Sequence, residues 1–184
     1  MTVIKAHSDS VILGVARSVL ATIVLIILSL PAAHALELRV TIDGIRSSSG
    51  TILIGLYDRA ECFERAIELS DKEGLLNDPA RVAGAALKAT TRLKSGVVFL
   101  NLDPGRYAVI VFQDENGNGR LDKNAWGVPT EPYGFSNNAE GFLGPPSFAE
   151  AAILLDGSDT SITIAFIYHG AGSPEPAGPL AETE

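Results

Sequence analysis

The sequence predicts an all-β protein, an antiparallel sandwich of about seven strands with a short helical insertion and one long ordered loop. Three observations carry that expectation. Short segments with strand periodicity recur along the chain, turn signals rich in Gly, Pro, Asn and Asp separate them, and one segment alone switches to helical spacing. Strands that do not alternate with helices build antiparallel sheets, with a closed barrel as the competing architecture.

The first strand is Leu36-Glu37-Leu38-Arg39-Val40-Thr41-Ile42-Asp43, whose period of two marks one buried face. Asp43-Gly44 and Ser47-Ser48-Ser49-Gly50 carry turn chemistry. The more continuously apolar Thr51 to Tyr57 follows, so the two strands are expected to form a hairpin. From Arg59 to Leu69 the spacing becomes helical, with Phe63, Ala66 and Ile67 on one side and Glu61, Glu64, Arg65 and Glu68 on the other. Val82 to Thr90 and Gly96 to Leu102 read as strands. The turn Asp103-Pro104-Gly105-Arg106 uses proline for its fixed φ and glycine where φ can be positive, and leads into Tyr107 to Phe112 as a second expected hairpin. Ala151 to Leu155 and Ser161 to Tyr168 supply two more strands around the turn Asp156-Gly157-Ser158-Asp159. The stretch Leu102 to Tyr107 resembles the turn and following strand of transthyretin-like and other immunoglobulin-like sandwich modules.

The two ends read differently. Lys5 and Arg17 precede the apolar run Val19 to Leu30, and Ala33 and Ala35 place a signal-peptidase cut before Leu36, so residues 1–35 are expected to be a secretory signal peptide. If that segment stays uncleaved it becomes an amino-terminal anchor and the chain's membrane contact. Residues 36–169 then form the working domain, periplasmic or secreted. The Pro/Gly-rich residues 170–184 have little to bury and are expected to be disordered.

Composition narrows the chemistry. The net charge is −8, and losing Lys5, Arg17 and Asp9 with the signal deepens it to −9. So acidic a chain repels phosphate backbones, and nucleic acid is not an expected partner. Of three histidines only His169 lies beyond residue 35, which argues against zinc sites and histidine-based triads. Cys62 is the single cysteine, so no internal disulfide forms; it reads as a small half-buried hydrophobe.

The long loop, residues 113–150, is where function would sit, because loops beyond roughly 12–15 residues are usually functional or disordered. It carries Trp126, Tyr133, Phe135, Phe142 and Phe148, too many aromatics for a disordered segment. Its first part follows the front half of an EF-hand-type calcium loop. Asp114, Asn116 and Asn118 offer oxygens at alternate positions, Gly119 allows the turn, Arg120 offers its carbonyl, and Asp122 contributes a side chain or a water-mediated contact. The last EF-hand position is Ala125 rather than a bidentate Glu, so the expected calcium site is weak unless Glu131 substitutes. The alternative is an Asn-Gly turn whose side chains cap backbone amides.

The second part runs from Gly127 to Ala139 and then through Gly144-Pro145-Pro146-Ser147-Phe148. Its Glu131-to-Ala139 run and Gly144 to Phe148, together with Phe112 and Asp114 to Gly119, resemble the bacterial domain-of-unknown-function family DUF2141, and with the flanking strands the resemblance covers roughly Leu36 to Phe166. The resemblance implies an exported single-domain bacterial protein and brings no catalytic residue with it. Trp126, Tyr133, Asn137 and Asn138 are the candidate ligand-binding residues, an aromatic platform with two amides; the competing reading makes the amides backbone partners and the aromatics a small loop core. The expected function is a non-catalytic exported module, not an enzyme, binding an unknown ligand or an envelope protein. Two alternatives remain: a glycosidase-like hydrolase using acids such as Asp114, Glu131 or Glu140, and a structural part of a surface assembly.

Overall fold

The computed structural model describes residues 35–91 and 94–169; the expected signal peptide up to His34 and the tail 170–184 lie outside the described residues. Among the described residues, eight strands in two sheets and few helices make the fold all-β. The strands are β1 (Leu36–Asp43), β2 (Thr51–Tyr57), β3 (Ala83–Lys88), β4 (Ser95–Leu102), β5 (Gly105–Asp114), β6 (Tyr133–Phe135), β7 (Ile153–Leu155) and β8 (Thr160–Ala165). Helix α1 spans Ala60–Leu69 and the short α2 spans Phe148–Ala151. One sheet has the order β4-β1-β8, the other β3-β2-β5-β6, with β7 also paired to β5.

Neither expected hairpin forms. β1 pairs with β4 and β8, whereas β2 pairs with β3 and β5, so the chain changes sheet between β1 and β2, between β3 and β4, between β4 and β5, and once more before β8. Burial explains the division. β1 hides alternate residues, as a strand with one face toward solvent must, while β2 and β5 are buried almost continuously and need cover on both faces. The first crossing is tied down by Gln113, which is fully buried and donates its Nε2 to Ser47 O and Ser49 O. The sheets are not wholly antiparallel either: β1 and β8 run parallel, Leu38 opposite Thr160 and Ile42 opposite Ile164. Gly105 opens β5 without positive φ.

Two apolar clusters sit on either side of the second sheet. The first lies between the sheets and joins Leu38, Val40 and Ile42 of β1 to Ile52, Ile54 and Leu56 of β2 and to Val109 and Val111 of β5. The second lies on the outer face, where Leu53, Tyr57, Ala108, Ile110 and Phe112 meet Cys62, Phe63 and Ala66 of α1 and Leu121, Phe135, Ala139 and Ala151 from the long loop and its end. The helix found by its spacing therefore serves as a lid on β2 and β5, and Cys62 is a buried hydrophobe in that lid.

The long loop is ordered but not structureless. It contains β6, which pairs antiparallel with β5 through Ile110 opposite Phe135 and was too short to show a strand period in the sequence. Ala151, expected as the start of a strand, instead ends α2. Ser147 caps that helix by accepting from Glu150 N, and the Glu150 carboxylate accepts from Ser147 N, a capping box that starts a helical turn where a strand was expected, so that β7 begins only at Ile153. Among the described residues no helix is long and apolar enough to cross a membrane.

Candidate functional site

Two adjoining features are built from the long loop. The first is the array from Asp114 to Asp122. Asp114, at the buried end of β5, accepts Gly117 N and Asn118 N on Oδ1 and Gly119 N on Oδ2, so one carboxylate folds three residues around itself. Asn116 Oδ1 accepts Asn118 N and Asn118 Oδ1 accepts Arg120 N, repeating the turn two residues at a time. These backbone donors fix the amides the other way round at their free ends: Asn116 Nδ2 reaches Asp122 Oδ2 at 2.6 Å and Asn118 Nδ2 reaches Asp122 Oδ1 at 3.0 Å. Three of the side chains expected to surround a cation thus converge on one point, with amide hydrogens facing the Asp122 carboxylate.

Glu131 acts as a clamp on this array. It is buried, and its two oxygens accept Glu115 N at 2.8 Å and Asp122 N at 3.0 Å, joining the first and last parts of the loop. Burial pushes its carboxyl above the usual range, and the nearby Asp122 and Asp114 carboxylates add to the rise against the two backbone donors. Arg120 engages the array through its backbone N–H, its side chain lying in solvent. Among the described residues no group of three His, Cys, Asp or Glu side chains is placed to hold a metal ion. The donor set here differs from that kind, since asparagine oxygens make up part of it. The turn packs on the end of α1: Leu121 N donates to Ser70 O, and a Cβ on Gly74, which has φ 72°, would collide with Gly119 O.

The second feature is a cleft of about 520 Å³ beside the array. Its wall is a small hairpin over residues 122–130, in which Thr130 N donates to Asp122 O, Asn124 N donates to Val128 O and Lys123 bridges Pro129. Trp126 stands at the tip, 89% exposed, and lines the cleft with Val128, Tyr133, Leu143, Pro145 and His169. Tyr133 Oη is 2.6 Å from His169 Nε2. Burial, and then the charge of Glu140, push the Tyr133 phenol up, so it keeps its proton.

Of the four candidate ligand residues, Trp126 and Tyr133 line this cleft and the two asparagines do not. Asn137 Nδ2 donates to Glu150 O and Ala152 O, Asn138 Nδ2 donates to Thr163 O, and Asn138 Oδ1 accepts Ala165 N. Both adopt positive φ, 59° and 49°, a conformation asparagine tolerates; the Asn137 amide holds the backbone at the end of α2 and the Asn138 amide holds that of β8. Of the acids considered for a hydrolase, Asp114 and Glu131 are engaged by backbone N–H groups in the array, while Glu140 lines the cleft. His169 was missed as a site residue because it lies 36 positions from Tyr133, and no local spacing links them.

These features coincide with the stretch the sequence resemblance rests on. A family model described as an uncharacterized protein conserved in bacteria, DUF2141, matches residues 40–163, about two thirds of the chain. The chain belongs to the DUF2141 family. The matched span holds the Asp114–Asp122 array, Glu131 and the cleft wall, and it stops before His169. The Tyr133–His169 contact of this DUF2141 protein therefore reaches past the matched region. No curated protein and no solved structure matches the chain.

Proposed function

We propose that this protein is an exported, non-catalytic binding module in which a calcium ion fixes the loop that walls a ligand cleft. The observation that carries this reading is the 122–130 hairpin: Asp122 at its base belongs to the oxygen-rich array, and Trp126 at its tip belongs to the cleft. Calcium takes six to eight oxygen ligands. To hold the ion beside Asp122, Asn116 and Asn118 would turn their amides over, giving up the bonds from Asn118 N and Arg120 N so that their Oδ1 atoms face the ion in place of the amide hydrogens.

An immunoglobulin-like or transthyretin-like sandwich is the build we propose for the fold. Supporting it, Tyr107 near the start of β5 donates its hydroxyl to Asp103 O at 3.0 Å, the kind of corner bond such sandwiches use to fix a strand entry. The hydrolase alternative has weaker support, because two of its three acids face the array rather than the cleft.

Calcium should raise the melting temperature, since an ion that binds the folded loop better than the unfolded chain stabilises by about 2.7 kcal/mol at a hundred dissociation constants. Asp122→Ala should remove that response. Asp114 is the wrong residue to remove, because three backbone N–H groups depend on it. Magnesium should do less, as its compact octahedral demand suits this loop poorly. An unchanged melting curve in millimolar calcium, with no heat of binding, would reduce the array to a hydrogen-bonded turn. Export has its own check: mass spectrometry of the protein from its host should find Leu36 at the amino terminus, and a terminus at Met1 would point to a membrane anchor.

A further inference from the structure

We propose that the cleft takes a neutral, flat aromatic alcohol of about two to three fused rings, its rings against Trp126 and its hydroxyl on the Tyr133–His169 pair. This rests on the reading of the cleft as a ligand site and adds the chemistry of the occupant. The volume of about 520 Å³ falls within the range of small-molecule sites, which are mostly apolar with a few placed polar groups.

The walls favour a flat ring. Trp126 presents an almost fully exposed indole at the hairpin tip, a large and rigid apolar face on which a flat ring can stack. Leu143 is 93% exposed on the rim, and Pro145 adds a rigid aliphatic surface.

The polar groups favour a hydroxyl. The short Tyr133–His169 contact uses one proton, and the phenol oxygen keeps the capacity for one more hydrogen bond. Whether the phenol donates to the imidazole or accepts from it, a ligand hydroxyl can complement the remaining capacity, because it both donates and accepts. The charges favour neutrality. Lys123, the cleft's ammonium, is 3.2 Å from Asp71 and already has its counter-ion, while Glu140 repels anions. Glu140 and Trp126, which line the same cleft, would also suit a quaternary ammonium, and that ligand is the competitor the experiment must separate.

Calorimetry on the chain cut after Ala35 should be run with naphthol, its saturated analogue decalol, naphthalene sulfonate and tetramethylammonium. Naphthol should bind about tenfold tighter than decalol, the difference being ring stacking, and neither charged probe should give heat. Trp126→Leu should weaken naphthol by about tenfold and leave decalol unchanged. Tyr133→Phe should weaken naphthol by about fivefold, with an unchanged melting temperature. Equal binding of naphthol and decalol, or tighter binding of tetramethylammonium or the sulfonate, overturns the aromatic-alcohol assignment while leaving the cleft a ligand site. No heat from any probe overturns both.

Discussion

Phe63→Ala should cost about 3–5 kcal/mol and lower the melting temperature by on the order of 10 °C. Phe63 is fully buried on α1 and meets Tyr57, Phe135 and Phe148 edge to face, with ring centroids 6.3, 6.0 and 5.9 Å away. Those three rings come from β2, β6 and α2, so this one side chain joins the helix, the second sheet and the far end of the long loop. Little else in the cluster can fill the space, because its neighbours are held by strand pairing and by the α2 capping box. Phe142→Ala is the matching control: at 94% exposure its loss should stay within about 0.5 kcal/mol. Thermal unfolding of both variants by circular dichroism reads the contrast, and a melting point for Phe63→Ala equal to that of the wild type would show that α1 does not hold the fold.

Ser136→Ala should be nearly as damaging although it removes one oxygen. Ser136 is completely buried; its hydroxyl accepts Val109 N at 2.8 Å and donates to Ala151 O. Val109 and Ala151 are fully buried as well, so neither group can turn to water. Each orphaned backbone group costs about 1–3 kcal/mol, which puts the loss on the order of 2–5 kcal/mol. Urea unfolding should show a lower midpoint with an unchanged slope, since the surface exposed on unfolding stays the same. An unchanged midpoint would mean that strand β5 and helix α2 do not depend on this hydroxyl.

The sequence revealed where most strands lie and little about which strands meet. Leu36 to Ile42 alternates because one face is buried, and that alternation is local, so it was legible. The identity of a neighbour is not local: the same pattern suits a hairpin partner at Ile52 or the actual partners at Val97 and Ile162, which come from distant parts of the chain. The continuous burial of Ile52 to Tyr57 and of Tyr107 to Phe112 did hold a clue, since a strand covered on both faces needs a second apolar layer, and α1 provides it. In the site, Trp126 and Tyr133 were legible because bulky rings in a polar loop need a reason. Asn137 and Asn138 follow the competing reading of the sequence, backbone partners in an irregular loop, and an amide spent on backbone looks in sequence like one offered to a ligand. His169 could not be linked to Tyr133 until β6 and the segment after β8 came together through Tyr133 and Ile167.

The parallel pairing of β1 and β8 also sets a timetable. Leu38 lies opposite Phe99 on one side and Thr160 on the other, so the first strand of the domain gains its neighbours only after most of the chain has followed it. Contacts this distant along the chain slow folding into the range of milliseconds to seconds, because loop closure must precede the pairing that rewards it. Until β8 arrives, β1 is a bare edge with Leu38, Val40 and Ile42 on one side of it, the kind of strand that recruits another chain instead. The smaller sheet is thus complete only once β8 pairs with β1, and until then that edge is open to other copies of the chain.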